Sequence, residues 1–569
     1  MKSKTLLFVI TLCLVFTVLV SGCGSDSTSQ SPDETKQSTD ASDNSKTEEG
    51  GGDESKDNQE LSGPGQFPIV KDKVTLNILI GGTAQVEDFN TNEFTKWYEE
   101  KTNVHAVFEV LPVQGGAEKL NLIISGGDYP EVLMSTGLSA SQIMMYGSKG
   151  MLLPLNDLIE EHGFEIRKVF EDPDTAYAKE VLTNPDGNIY AMPDINQCYH
   201  CSNSRKLWIY QPWLEQMGLT MPKTLEEYAE VLRAFQNDDP NGNGKADEVA
   251  FSSEQTSLIP FFMNSFIYSD GGKDMLLYDG KIGVSYNKPE WKQGITYLKK
   301  LYDEKLLDPQ SFTQDWDQLK QLGENPGQVI LGSATGLHMG MFTQFYGESG
   351  RWLDYIAVPP LYNGDRKPTT QYDPYQVSPD TLITDKCQNP EVALKWIDGM
   401  YEFEAVMRSI FGRPEEEWIE AGPEDIGING KPAIYKLLIP WAETIQNVTW
   451  AQSGPQVRSN TFRMGETAKP EDPLETLLYK ATTQYEPFNP GMDQLLPPLV
   501  FTEEQASELS DLEVTINDYV DQMNARFITG DADIENEWDT YIKTLDEMNL
   551  ERYIQIHQEA YDLKYGNNK

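Results

Sequence analysis

The stretch from Val74 to Met134 constrains the fold more than any other part of this chain. Val74-Thr75-Leu76-Asn77-Ile78-Leu79-Ile80 is an apolar run ended by Gly81-Gly82, the pattern of a buried strand. A helix through Phe94, Trp97 and Tyr98 follows, and Val104 to Leu111 is β-rich up to Pro112. Leu120, Ile123 and Ile124 mark a second helix stopped by Gly126-Gly127, and Glu131 to Met134 reads as a third short strand after Pro130. Strand, helix, strand, helix, strand predicts a parallel sheet with helices packed on it, an α/β chain. Folded sequence begins near Gln66, and the remaining length exceeds what one core accommodates, so at least two lobes are expected.

A second unit begins near Lys206. Leu207 to Tyr210 reads as a short strand, and Thr224-Leu225-Glu226-Glu227 is a capping box. Leu225, Tyr228, Leu232 and Phe235 give the helix after it one apolar face. Further helices are predicted over Trp291–Tyr302 and Glu391–Phe403. The stripe Leu509, Leu512, Ile516, Tyr519, Met523 and Phe527 steps by three and four, which marks core packing rather than a binding box. There is no internal repeat, which argues against a modular adhesion or scaffold protein.

The N-terminal segment carries Lys2 and Lys4, an apolar run to Val20 and then Ser21-Gly22-Cys23, the marks of a secretory signal over residues 1–22. A cysteine directly after the small pair resembles a bacterial lipoprotein signal, with Cys23 as the acylated residue. Residues 23–65 are rich in acids, Ser, Gly and Asn and poor in apolar side chains, so they are expected to be a disordered acidic tether. The chain has 90 Asp plus Glu against 45 Lys plus Arg, a formal charge of -45. That balance disfavours nucleic-acid phosphates and anionic headgroups, and suits neutral or cationic ligands and hard metal ions.

Asn237 to Glu248 reads NDDPNGNGKADE, with oxygen donors at alternate positions around Gly242 and Gly244. Ca2+ takes six to eight hard oxygens at about 2.4 Å, which such a turn supplies. Opening the loop at Asp239 gives Asp239, Asn241, Asn243, the Lys245 carbonyl, Asp247 and Glu248, with Gly244 sixth. Opening at Asn237 puts Gly242 sixth and Glu248 twelfth but starts on an amide. The first register is preferred because its opening carboxylate supplies charge, and the lone loop points to a structural ion. Cys198-Tyr199-His200-Cys201 is a CxxC without a second pair or a thioredoxin-like context, so a short structural disulfide or two plain thiols is expected.

Several motifs in order resemble the bacterial extracellular solute-binding lipoproteins that serve ABC importers, the sugar-binding family 1 type. They are Lys119 to Glu131 with its Ser125-Gly126-Gly127-Asp128-Tyr129-Pro130 turn, Gly187-Asn188-Ile189-Tyr190-Ala191-Met192-Pro193, Trp213 to Leu219 with Pro222 to Tyr228, Asn389 to Lys395, and the tail from Phe527 to Tyr561. Within that family the chain is similar to alginate-oligosaccharide-binding proteins, and the resemblance implies the same six calcium ligands. It also implies a two-lobed periplasmic-binding-protein-like (type II) fold with a cleft between the lobes. Lobe one would be 66–204 plus 356–403 and lobe two 205–355 plus 404–569. The function so implied is a lipid-anchored monomer on the extracytoplasmic face of the cell membrane. It would capture an oligosaccharide for the permease subunits of an ABC transporter.

Sugars lie against aromatic faces while carboxylates and amides bond their hydroxyls. The expected ligand contacts are accordingly Trp208, Tyr210, Phe342, Tyr346, Tyr372, Tyr375 and Trp450, taken as a group. The alternative is a secreted, calcium-stabilised glycosidase or lyase. No GxSxG, HExxH or P-loop motif is present, and no catalytic residue is assigned.

Overall fold

The structure is a computed structural model that describes residues 60–439 and 444–566. The expected signal, Cys23 and nearly all of the tether lie outside the described residues. In the first half the strands are β1 (Val74–Ile80), β2 (Val104–Val110), β3 (Val132–Met134), β4 (Ala191–Asn196), β5 (Lys206–Tyr210), β6 (Met275–Tyr278) and β7 (Lys281–Val284). Then come β8 (Ser333–Gly336), β9 (Tyr355–Val358), β10 (Val377–Ile383), β11 (Trp418–Glu420), β12 (Tyr435–Leu437) and β13 (Val457–Arg458). The β1–β3 region forms as its pattern predicts. β1 alternates buried and exposed residues and then stays buried, and it pairs in parallel with β2 and β3. Helix α1 (Glu93–Thr102) starts at Asn92, whose side chain accepts the Phe94 N–H, and stops at Asn103 in the left-handed region.

Two sheets organise the chain. The larger is six-stranded in the order β13-β4-β10-β3-β1-β2, with β10 antiparallel to both neighbours. The smaller has the order β8-β5-β9, all antiparallel. Each sits on its own hydrophobic core. The first core holds Leu76, Ile78, Phe94, Tyr98, Ile195, Ile383, Trp396 and Trp450. The second holds Trp208, Tyr228, Phe235, Phe251, Trp291, Leu298, Tyr355, Ile516, Phe527 and Tyr553. These are the two lobes, and burial of apolar surface in each supplies its main stabilisation.

The capping box at Thr224 forms, with Thr224 Oγ1 accepting from Glu227 N–H and Glu227 Oε2 from Thr224 N–H. It starts the helix Leu225–Asn237, which buries Leu225, Tyr228, Leu232 and Phe235. The C-terminal stripe lies in the helix Glu503–Thr529, burying Leu509, Ile516, Met523 and Phe527. Among the described residues no helix is long and apolar enough to cross a membrane.

The packing departs from the expected boundaries at two places. Ala357, Val358 and Leu361, expected in lobe one, pack in the second core, because β9 hydrogen-bonds to β5. Ala405 and Trp450, expected in lobe two, pack in the first core, and β13 extends the large sheet beside β4. The chain therefore re-enters the first lobe at β10, Trp450 and β13 also lie there, and Met407, Trp418, Tyr435 and Leu437 form a small cluster of their own. Among the described residues three segments run between the two cores: 197–205, 362–376 and 459–473.

Candidate functional site

Parallel strands β1, β3, β4 and β13 deliver their C-terminal ends to one edge of the large sheet, where the loops can meet the second lobe. The segment Thr449–Gln456 runs over this edge. Trp450 anchors it: the ring is fully buried against Phe94, Phe108 and Phe89, and its N–H donates to Thr95 Oγ1 at 2.9 Å. Ala451 and Gln452 then adopt left-handed backbone (φ 50° and 67°), which turns the Gln452 side chain toward β4 and β13. Gly454 N–H donates to Ser135 Oγ, so the end of β3 is tied to the same loop.

Here a cavity of about 650 Å³ opens between the lobes. Phe411, Gln452 and Arg458 face it from the first lobe, Tyr346 and Leu474 from the second, and Arg463, Glu466 and Asp472 from the third connecting segment. Tyr346 O–H donates to Asp472 Oδ1 at 2.7 Å. Arg458 Nη1 donates to Gln452 Oε1 at 2.8 Å and to Asn196 Oδ1 at 3.3 Å.

Two residues of the cavity wall carry buried polar atoms with no hydrogen-bond partner, Arg458 Nε and Glu475 Oε2, the latter 3.8 Å from His200 Nδ1, and Gln456 Oε1 and Asn460 Oδ1, each two residues from Arg458, are unpaired as well. Native interiors rarely leave such groups unpaired, and here a donor and an acceptor of this kind belong to residues lining one cavity. The electrostatics are unusual as well. Burial and then the neighbouring Glu475 push the Glu466 carboxyl up to about 7. Burial lowers Lys206 to about 7; its Nζ donates to the His200 and Asn203 carbonyls of the first connecting segment. Burial, aided by Lys206, lowers His338 to about 4, and burial and then Arg463 hold His200 well below its usual value. Both imidazoles are therefore neutral near pH 7.

Of the seven aromatic residues expected to touch ligand, Tyr346 alone lines this cavity. Trp208, Phe342 and Trp450 are core residues at 1%, 0% and 0% exposure, with no free face for a sugar. The Trp208 N–H is spent on Gly336 O at 2.9 Å. Tyr210 is half-buried against Tyr355 and Trp213. Tyr372 and Tyr375 are half-buried in the second connecting segment, where Tyr375 meets Tyr177 edge-on. Gln452, Arg458, Arg463, Glu466, Asp472 and Glu475 line the cavity and were not among the expected contacts. The available signal was the dense run of amides, hydroxyls and arginines from Gln452 to Arg463, broken by Gly454-Pro455.

Cys198 and Cys201 form a disulfide in the first connecting segment, with Cα atoms 5.0 Å apart. Cys198 N–H donates to Gln376 Oε1 and Ser204 N–H to Gln371 Oε1, so the disulfide-bearing segment is laced to the second connection.

The loop at 239–248 lies in the second lobe. Asp239 Oδ1 and Oδ2 accept from the N–H groups of Asn243 and Gly244, Asn241 Oδ1 accepts from Asn243 N–H, and Asn243 Oδ1 from Lys245 N–H. Asp247 accepts from the side-chain amides of Asn241 and Asn243, which hold its carboxyl below the usual range. Gly242 and Gly244 take φ of 68° and 73°. Glu248 is 5% exposed, with Oε1 buried and unpartnered, and burial raises its carboxyl. An orphaned buried carboxylate oxygen beside this donor set fits a hard cation, to which Asp239, Asn241, Asn243, Asp247, Glu248 and the Lys245 carbonyl would contribute oxygens.

A two-lobed α/β frame with a polar cavity at the lobe junction is the frame of a solute-binding protein. The chain belongs to the family of bacterial extracellular solute-binding proteins, whose model matches residues 83–406. It is 26% identical over 521 residues to the fructooligosaccharide ABC transporter substrate-binding protein FusA of Streptococcus pneumoniae, covering 88% of this chain and 92% of that one. The structure of FusA with kestose superposes with a TM-score of 0.65 at 25% identity, covering 87% of this chain and all of that one. An EF-hand mutant of FusA with fructo-nystose gives 0.64 at the same identity and the same coverage of this chain. An extracellular solute-binding protein of Bifidobacterium longum subsp. infantis shares the fold at TM-score 0.72 and 20% identity, over 86% of this chain and 98% of that one. So does the alginate-binding protein AlgQ2 without calcium ion, at 0.58 and 20%, over the same shares. The chain is a solute-binding protein and not an enzyme, as its sequence led us to expect.

Proposed function

We propose that this chain is the capture component of a carbohydrate ABC importer, binding an oligosaccharide in the cavity between its lobes. The observation that carries this reading is the unpartnered buried donor Arg458 Nε and acceptor Glu475 Oε2 on residues that line this one cavity. Hydroxyl-rich ligands supply both donors and acceptors to such groups. Tyr346 and Phe411 give the same cavity aromatic surface for C–H faces. The likeness to FusA, a fructooligosaccharide binder by its description, supports the ligand class. Hinge motion about the three connecting segments closes the lobes on the sugar, which is then passed intact to a permease. The protein works as a monomer, held to the outer face of the membrane by lipid on Cys23.

The loop from Asp239 to Glu248 holds a structural Ca2+ in this reading, supported by the unpartnered Glu248 oxygen and by the EF-hand described for FusA. A titration of intrinsic tryptophan fluorescence against fructo-, gluco-, xylo- and galacturono-oligosaccharides tests the proposal. Saturable binding of at least one sugar class, recovered unchanged afterwards, is expected. Binding of none, or turnover of the glycan, overturns it.

A further inference from the structure

We infer that the cavity is built for an acidic oligosaccharide, with a uronate carboxylate docking on the free edge of Arg458. This rests on the carbohydrate-binding reading above and narrows its ligand class. Arg458 is only 7% exposed, and its guanidinium sits 5.6 Å from the Phe411 ring centroid. Both partners of Nη1, the side-chain oxygens of Gln452 and Asn196, are neutral. Nε is buried without a partner, and Nη2 makes no hydrogen bond among the described residues. Nε–H and Nη2–H lie on one edge of the guanidinium and point the same way, the fork that pairs with the two oxygens of a carboxylate.

The charge around this edge points the same way. Among the described residues no carboxylate lies at ion-pair distance from Arg458 or from Arg463, whose Nη1 reaches only the Gln197 carbonyl at 3.5 Å. This occurs in a chain with 90 acidic and 45 basic residues, where an arginine partner is easy to come by. Glu466 and Glu475 act on Arg458 through space without pairing with it, and a buried guanidinium that lacks a paired counter-charge is costly, so its open edge is matched to an anion arriving with the ligand. Three acids share the cavity. Asp472 is engaged by Tyr346, Glu466 holds its proton up to about pH 7, and Glu475 Oε2 is left as an acceptor for a hydroxyl. The overall charge of -45 favours neutral or cationic ligands at long range. At the lobe junction Arg458, Arg463 and Lys469 stand against those three acids on one cavity wall, so the local balance is far less negative than the overall one, inside the screening length of about 8 Å.

The test is calorimetric titration of the full-length protein with matched pairs. Oligogalacturonates and glucuronoxylo-oligosaccharides are each compared with their carboxyl-reduced neutral counterparts, alongside kestose. At least one acidic sugar is expected to bind about tenfold or more tighter than its neutral counterpart, the scale of one charge-assisted bidentate pair. Arg458→Lys, which keeps the charge and loses the fork, should cost the acidic sugar about tenfold and its neutral counterpart much less. If that variant does not fold, the matched pairs on the unaltered chain decide alone. Neutral sugars binding as tightly as acidic ones in every pair overturn the inference and leave the carbohydrate reading standing. Binding of no sugar at all overturns both.

Discussion

Trp450 separates a core role from a ligand-contact role most sharply. Its ring is fully buried, 4.9 Å from Phe94 and 5.3 Å from Phe108 between centroids, and its N–H is bonded to Thr95. A buried tryptophan removes roughly 200 Å² from water, worth about 5 kcal/mol at 25 cal/mol per Å² as an upper figure. Trp450→Ala should therefore cost about 3–5 kcal/mol, the range for large-to-small changes in cores. Trp450→Phe keeps a ring in the T-shaped cluster and loses the smaller half of the indole and one hydrogen bond, for about 1–3 kcal/mol. Urea denaturation of the pair reads these differences, and sugar titration of Trp450→Phe should give an affinity close to the parent's. A Trp450→Phe variant of unchanged stability that has lost sugar binding would refute the reasoning, because it would place the indole against ligand.

Three further outcomes are expected. Chelation of calcium should lower the melting temperature with little change in sugar selectivity, since an ion at a hundred times its Kd stabilises by about 2.7 kcal/mol. Glu248→Gln should weaken that response, and an unchanged melting point on chelation counts against a structural ion. Lys206 is lowered by burial from 10.5 to about 7, so between those values the unfolded chain binds the extra proton. Stability from this residue is then full above pH 10.5 and is lost as pH falls toward 7, at up to about 1.4 kcal/mol per pH unit. Lys206→Met should flatten the measured slope of unfolding free energy between pH 7.5 and 9.5, and an unaltered slope would show the ammonium to be solvated. Tyr346→Phe removes the bond to Asp472 at the cavity wall and should weaken sugar binding with little effect on either lobe's stability. A large fall in stability would mean that the bond holds the fold instead.

The frame of the molecule was legible because its signals are local. β1 to β3, the Thr224 capping box and the stripe from Leu509 to Phe527 each carry their pattern within a single element. The lobe boundaries were less so. Whether the chain after Phe403 belongs to one lobe or the other depends on β13 pairing with β4, a contact between residues about 260 positions apart that leaves no periodic trace. The residues of the candidate site were hardest to see. Aromatic side chains serve cores and sugar sites alike, so type alone could not tell buried Trp208 and Phe342 from exposed Tyr346. Arg458 becomes visible as a site residue only once its Nε is seen to be buried and unpaired.

The central claim is that two lobes close on a sugar held between them. Small-angle X-ray scattering of the protein, titrated with an oligosaccharide that binds in the fluorescence assay, tests it most directly. The account predicts a radius of gyration that falls in step with occupancy and stays constant with a sugar that does not bind. A radius unchanged at saturating ligand would contradict it, since the solute would then be held without the lobes moving.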